Sequence, residues 1–126
     1  LLARADIVIN LLPLTPATTG VLDARLFAAM PRGASIVNLA RGAHLVDADL
    51  LAALASGQIA HAVLDVFHTE PLPDDHAFWS HPQVTVLPHV AGQTDAASAS
   101  QVVAANVRAL RDGRPLQHLV ERERGY

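Results

Sequence analysis

The stretch ADIVINLL, residues 5–12, sets isoleucine, valine and leucine side by side instead of alternating them with polar residues. A strand with one wet face alternates; a strand covered on both faces does not, and such strands belong to parallel sheets. Three further runs follow the same rule: ASIVNLA (34–40), AHAVLDVF (60–67) and VTVLPHV (84–90). Helical signals separate them. Asp23 is placed to cap ARLFAAM (24–30), which PRG (31–33) breaks, and VDADLLAALASG (46–57) takes Asp47 as its N-cap and Gly57 as its stop. A long alanine-rich segment from about Thr94 to Asp112 closes the pattern, ended by Gly113 and Pro115. Apolar strands alternating with short helices predict an α/β fold, a three-layer sheet of the Rossmann type with helices on both faces, followed by a long C-terminal helix.

The composition narrows the function classes. With 126 residues, 51% hydrophobic and only 4% aromatic, the chain can bury a core of Ala, Val, Leu and Ile. A net charge of -3 offers no basic field for nucleic acid or anionic lipid. There is no cysteine and no apolar run of the ~18 residues that a membrane span requires, so a cytoplasmic location is the default expectation. The first residue is Leu1, and the chain reads as a piece of something longer.

In parallel sheets, ligands bind beyond the carboxyl ends of the strands. The residues standing there include Arg41 in RGAH, Asp65 at the end of the third run, Glu70 in HTEP and His89 in PHVAG. Taken one at a time, each has an ordinary structural role open to it: a solvated arginine, a turn glutamate, a core histidine. Together, Arg41, Glu70 and His89 form a set suited to reducing a 2-oxo acid. Hydride addition leaves charge on the carbonyl oxygen, which a histidinium can protonate. A carboxylate on the other ring nitrogen sets the tautomer and favours the charged form. A guanidinium fork matches the substrate carboxylate.

The stretches NLLPLTPATTGVLD (10–23), SIVNLARG (35–42), DLLAALASGQIAHAVLDVFHTEPLP (49–73) and VTVLPHVAGQT (84–94) resemble the nucleotide-binding part of the D-isomer-specific 2-hydroxyacid dehydrogenases. NLARGAHLVD, FWSHPQVTVLPHV and the terminal ERERGY look most like their glyoxylate/hydroxypyruvate reductase A branch. The resemblance implies that Arg41 binds substrate, that Glu70 pairs with His89, and that His89 is the acid/base. It also implies cofactor contacts from Leu12, Pro13, Ala40, Arg41, Asp65, His89, Ala91 and Gly92, with Asp65 on the nicotinamide carboxamide. NADP or NAD is the implied cofactor, with NADPH favoured by the branch, a small 2-oxo or 2-hydroxy acid the substrate, and a homodimer the assembly.

The phosphate-cradling pattern G-x-G-x-x-G is absent from the seven glycines of the chain. The expectation is therefore a C-terminal fragment: residues 1–93 the later part of a dinucleotide-binding domain, 94–126 a helix and tail returning toward a substrate domain, and the whole inactive by itself. Two rivals are weighed. A metal site is not expected, because His61, His68, His76, His81 and His89 show no ligand spacing. A dinucleotide-sensing corepressor of the same fold remains the alternative, while Glu70, where formate dehydrogenases carry glutamine, favours hydroxyacid chemistry.

Overall fold

The computed structural model describes residues 1–123; Arg124, Gly125 and Tyr126 of the ERERGY stretch lie outside the described residues. Four strands, β1 (Ile7–Asn10), β2 (Ala34–Asn38), β3 (Ile59–Leu64) and β4 (Val84–Val86), form one sheet in the order β1-β2-β3-β4. Every neighbouring pair is parallel, as the unbroken apolar runs predict. The strands are shorter than the runs that announce them. In the first, Leu11 and Leu12 leave the ladder for a loop that Pro13 and Pro16 cannot pair.

The register carries the functional consequence. Asn10 pairs with Asn38, Asn38 with Leu64, and Leu64 with Val86, so the four strands end in one row. Arg41 and His89 each follow that row by three residues, on β2 and β4, and Asp65 follows it by one. Sequence positions tens of residues apart are thereby brought to a common edge.

Helices α1 (Ala24–Ala28) and α2 (Asp47–Ala55) are the crossovers between β1, β2 and β3. Phe27 of α1 and Leu50 and Leu54 of α2 join Ala34, Ile36, Ala62 and Leu64 in one buried cluster, so both helices cover the same sheet face. Sequential strand order with crossovers of one hand requires this. Burying a side chain such as Phe27 contributes roughly 2–3 kcal/mol. On the opposite face of β1, Ile7 and Ile9 stay 60% and 57% exposed, so α1 and α2 do not supply its covering layer.

Asp23 caps α1 as predicted, accepting the Leu26 N–H at 2.9 Å. Gln58 closes the other end by donating to the carbonyls of Phe27 and Met30. The cap predicted for α2 is corrected: Val46 holds the N-cap position with no side-chain bond, and Asp47 is the first helical residue. The Asp47 carboxylate lies instead toward His68 and His76, at 3.7 and 3.5 Å. Gly57 ends the helix at φ 71, a left-handed conformation that glycine adopts without penalty.

Leu1–Ala91 form one compact unit, and a second begins at Gly92. The second holds α3 (Ala96–Arg111), capped by Asp95 accepting the Ser98 N–H at 2.8 Å. Its return strap is tied by Asn106, which accepts the Gln117 N–H at 2.8 Å and donates to the Gln117 carbonyl.

Among the glycines of the first unit, the closest approach of other backbone is at Gly42. A Cβ there would stand 1.9 Å from the Phe67 carbonyl carbon and 2.4 Å from the His68 nitrogen. Backbone cannot yield that distance cheaply, so Gly42→Ala is expected to destabilise the fold by about 3 kcal/mol, read from urea denaturation midpoints.

Candidate active site

Two buried asparagines build the site from below. Asn10 donates to Asn38 Oδ1 at 3.0 Å across the strand ends, and its own side-chain Oδ1 accepts the Leu12 N–H at 3.2 Å. Asn38 accepts the Ala40 N–H and donates to the Arg41 carbonyl at 3.1 Å. Polar groups this deep must be paired, and here the partners are the two loops that leave the sheet. The asparagines thus hold the Leu12–Pro13 loop and the Ala40–Arg41 turn in fixed relation.

Arg41 stands at the exposed rim, one residue before the 3₁₀ turn Gly42–His44. Its Nη1 donates to the Ala40 carbonyl at 2.6 Å. The close approach at Gly42 presses this turn onto Phe67 and His68, the loop that carries Glu70. Behind it, His44 is fully buried and Nε2 donates to the Pro13 carbonyl at 3.3 Å, where the Thr18 hydroxyl also donates. His44 Nδ1 is buried with no partner.

The opposite wall depends on Asp65. This carboxylate is 1% exposed, and its oxygens accept the N–H groups of Val90 and Ala91 at 2.8 and 2.9 Å. Two backbone donors fixed immediately after His89 turn the chain sharply at that residue. His89 takes up φ 55, a left-handed conformation for a residue with a Cβ, which costs on the order of 1 kcal/mol. The positive φ therefore falls on His89 and not on Gly92.

Turned in this way, His89 Nδ1 meets Glu70 Oε2 at 2.7 Å. Glu70 Oε1 accepts the Phe67 N–H at 2.9 Å, so both carboxylate oxygens are engaged. The His89 bond, then the Phe67 N–H, hold the Glu70 carboxyl below its ordinary value of 4.5, and the Arg41 charge adds to the same effect. With Nδ1 on the carboxylate, Nε2 is the nitrogen left to face a reactant.

A cavity of about 460 Å³ opens beside the pair, walled mainly by apolar side chains including Phe67, Leu72, Trp79 and Leu87. The structure thus joins Glu70 to His89 directly and brings Arg41 into their field without a hydrogen bond to either. Asp65, expected on a cofactor, also clamps the His89 loop. Asn10, Asn38 and His44 were not singled out from sequence. The available signal was an asparagine at the same place in two apolar runs, IVIN and SIVN.

Two of the other histidines have partners elsewhere: His61 pairs with Thr85 at 2.9 Å, and His68 bonds the Leu45 carbonyl at 2.8 Å. Among the described residues, no group of three or more metal-ligating side chains is placed to hold an ion.

Against known proteins, residues 1–91 match the family model described as D-isomer specific 2-hydroxyacid dehydrogenase, NAD binding domain. The chain belongs to this dehydrogenase family. It is 52% identical over 121 residues to the glyoxylate/hydroxypyruvate reductase A of Yersinia enterocolitica, covering 96% of this chain and 39% of that protein. The relative of the same name from Serratia proteamaculans matches equally. The chain thus spans about two fifths of the length of the curated relatives it matches. Among solved dehydrogenases, the Xanthobacter autotrophicus D-isomer specific 2-hydroxyacid dehydrogenase, in complex with NADPH and MES, superposes with a TM-score of 0.94 at 43% identity, over 99% of this chain and 52% of that one. The NADPH-dependent glyoxylate/hydroxypyruvate reductase of Sinorhizobium meliloti, in complex with NADP and sulfate, gives 0.92 at 40% identity, over 99% and 41%. The Rossmann-like fold class and the dehydrogenase resemblance read from sequence are both borne out.

Two measurements check the geometry. Asp65→Asn replaces one acceptor by an N–H that opposes a backbone N–H, so it should cost about 2 kcal/mol and speed hydrogen exchange at Val90 and Ala91. Glu70, depressed in the folded state, contributes stability that is present above its ordinary pKa and lost as pH falls through the folded value. The difference in urea midpoint between the parent chain and Glu70→Gln should therefore be open at neutral pH and close in strong acid.

Proposed function

We propose that this chain forms the nicotinamide end of a reductase acting on small 2-oxo acids, with His89 as acid/base, Glu70 as its partner and Arg41 as the substrate-carboxylate ligand. The observation that carries the reading is the 2.7 Å Glu70–His89 bond at the carboxyl edge of a parallel sheet, the edge where α/β folds bind ligands. A dihydronicotinamide, when bound, supplies a hydride to the carbonyl carbon. His89 holds Nδ1–H on the Glu70 carboxylate and gives the Nε2 proton to the oxygen as charge develops there; in reverse, neutral Nε2 accepts the hydroxyl proton. Arg41 offers parallel N–H donors to the substrate carboxylate once its Nη1 leaves the Ala40 carbonyl.

The residues present suit the nicotinamide half of a dinucleotide. Leu12, 47% exposed beyond β1, offers an apolar face at this edge, and each Asp65 oxygen accepts one bond and keeps a lone pair for a carboxamide. Leu12, Pro13, Ala40, Arg41, Asp65, His89, Ala91 and Gly92 are the proposed contacts. NADP is favoured over NAD because two similar structures are described with NADPH or NADP. Glyoxylate and hydroxypyruvate are the favoured substrates from the names of the relatives.

No sequence of the form G-x-G-x-x-G occurs in the 126 residues, so the pyrophosphate would have to be bound by other parts of a longer protein. Within this proposal the working form is a cytoplasmic homodimer and the chain alone does not turn over. No helix among the described residues is long and apolar enough to cross a membrane.

In the full-length reductase carrying this chain, His89→Ala should lower kcat by ~10²-fold with glyoxylate, and undiminished activity would remove the acid/base role. Arg41→Lys should act chiefly on KM through loss of the bidentate fork. Calorimetric titration of the chain alone with NADPH should show no micromolar binding.

A further inference from the structure

The loop that carries the proposed nicotinamide contacts Leu12 and Pro13 has no backbone-to-backbone hydrogen bond over residues 11–14 among the described residues. Side chains hold it instead. Asn10 Oδ1 accepts the Leu12 N–H at 3.2 Å, and the Pro13 carbonyl accepts from the Thr18 hydroxyl at 2.8 Å and from His44 Nε2 at 3.3 Å. Proline has no N–H to offer, so its carbonyl is the polar handle by which the protein grips it.

His44 reaches that handle from the other half of the site. It ends the 3₁₀ turn Gly42–His44 that follows Arg41. The backbone of this turn is fixed without the imidazole: the Gly20 N–H donates to the Ala43 carbonyl at 2.9 Å and the Leu22 N–H to the His44 carbonyl at 2.8 Å. Gly42 is seated against the Phe67 backbone. The imidazole also lowers stability where it lies. A carbonyl only accepts, so Nε2 carries the proton, and Nδ1 is left as a bare acceptor, fully buried and without a partner. A leucine of comparable size would avoid that loss.

A group that its own turn does not need, and that weakens the core, points to a role in the loop it touches. We propose that His44 is a positioning residue: its Nε2–H sets the Pro13 carbonyl and so holds the Leu12–Pro13 loop in register with the Arg41 turn, which couples cofactor binding to substrate binding. It touches neither ligand. The role rests on the reductase reading above, in which Pro13 faces the nicotinamide and Arg41 the substrate carboxylate. Loss of this one bond loosens both sites together. Glu70 and His89 keep their geometry, because the Phe67 N–H and the Asp65 clamp hold them independently.

The test uses the full-length reductase carrying this chain, with NADPH and glyoxylate as probes. His44→Leu should raise KM for both by about fivefold, the equivalent of one neutral hydrogen bond, and leave kcat at saturation within about twofold. Its urea midpoint should stay at or above that of the parent. His44→Gln, which can return an N–H to the Pro13 carbonyl, should recover most of the loss in KM. If His44→Leu does not fold, Thr18→Val, which removes the other donor to the same carbonyl, should raise both KM values with kcat kept. A urea midpoint that falls while both KM values stay put makes His44 structural only and overturns the proposal. So does a rise confined to one KM, or a glutamine variant no better than the leucine one. Arg41→Lys separates this role from the reading beneath it. A glyoxylate KM unmoved by Arg41→Lys removes the reductase reading, whereas one raised by Arg41→Lys and unmoved by His44→Leu removes the positioning role alone.

Discussion

The two hydrogen bonds from the Val90 and Ala91 N–H groups to the buried Asp65 carboxylate are the constraint on which the site depends. A carboxylate removed from water needs donors, and the nearest are the amides of the chain leaving the neighbouring strand. Taking both of them imposes a turn at His89 and a left-handed backbone there. Only with that turn does Nδ1 reach Glu70. The cost of an unfavourable φ is thus offset by satisfying a buried charge, and the product is a histidine with one nitrogen fixed and the other presented.

The same logic organises the other half of the edge. Asn10 and Asn38 meet because the parallel register sets them opposite each other. Once paired, they direct their remaining bonds to the Leu12 N–H and to the Ala40–Arg41 turn. Gly42 then lets that turn touch the backbone at Phe67. Arg41 and Glu70 therefore share one electrostatic field through a steric fact about a glycine. None of these contacts is strong alone; their effect is to limit the ways in which three loops can leave one sheet.

Much of this was legible in the sequence. Unbroken β-branched runs announced parallel strands, Asp23 and Gly57 marked helix ends, and Arg41, Glu70 and His89 stood out because their chemistry is complementary. What was missed has one cause. Asp47 fits a capping position by local rules, yet His68 and His76, more than 20 residues later in sequence, draw its side chain away. Asp65, read from sequence as a cofactor contact, also accepts from amides 25 and 26 residues on, a structural role that no local pattern announces. Local patterns name the candidates for a bond but not which candidate arrives.

What the sequence determined by itself is the class of fold and the chemical set, because both depend on residue type and on periodicity along the chain. What only the tertiary structure decided is the geometry: the common row of strand ends, the Asp65 clamp, the left-handed turn at His89, and the apolar cavity under Trp79. These depend on register and close approach between distant segments. Hydrogen bonds and steric exclusion act over a few ångströms of space, whatever the separation in sequence, so they are settled only when the sheet is assembled.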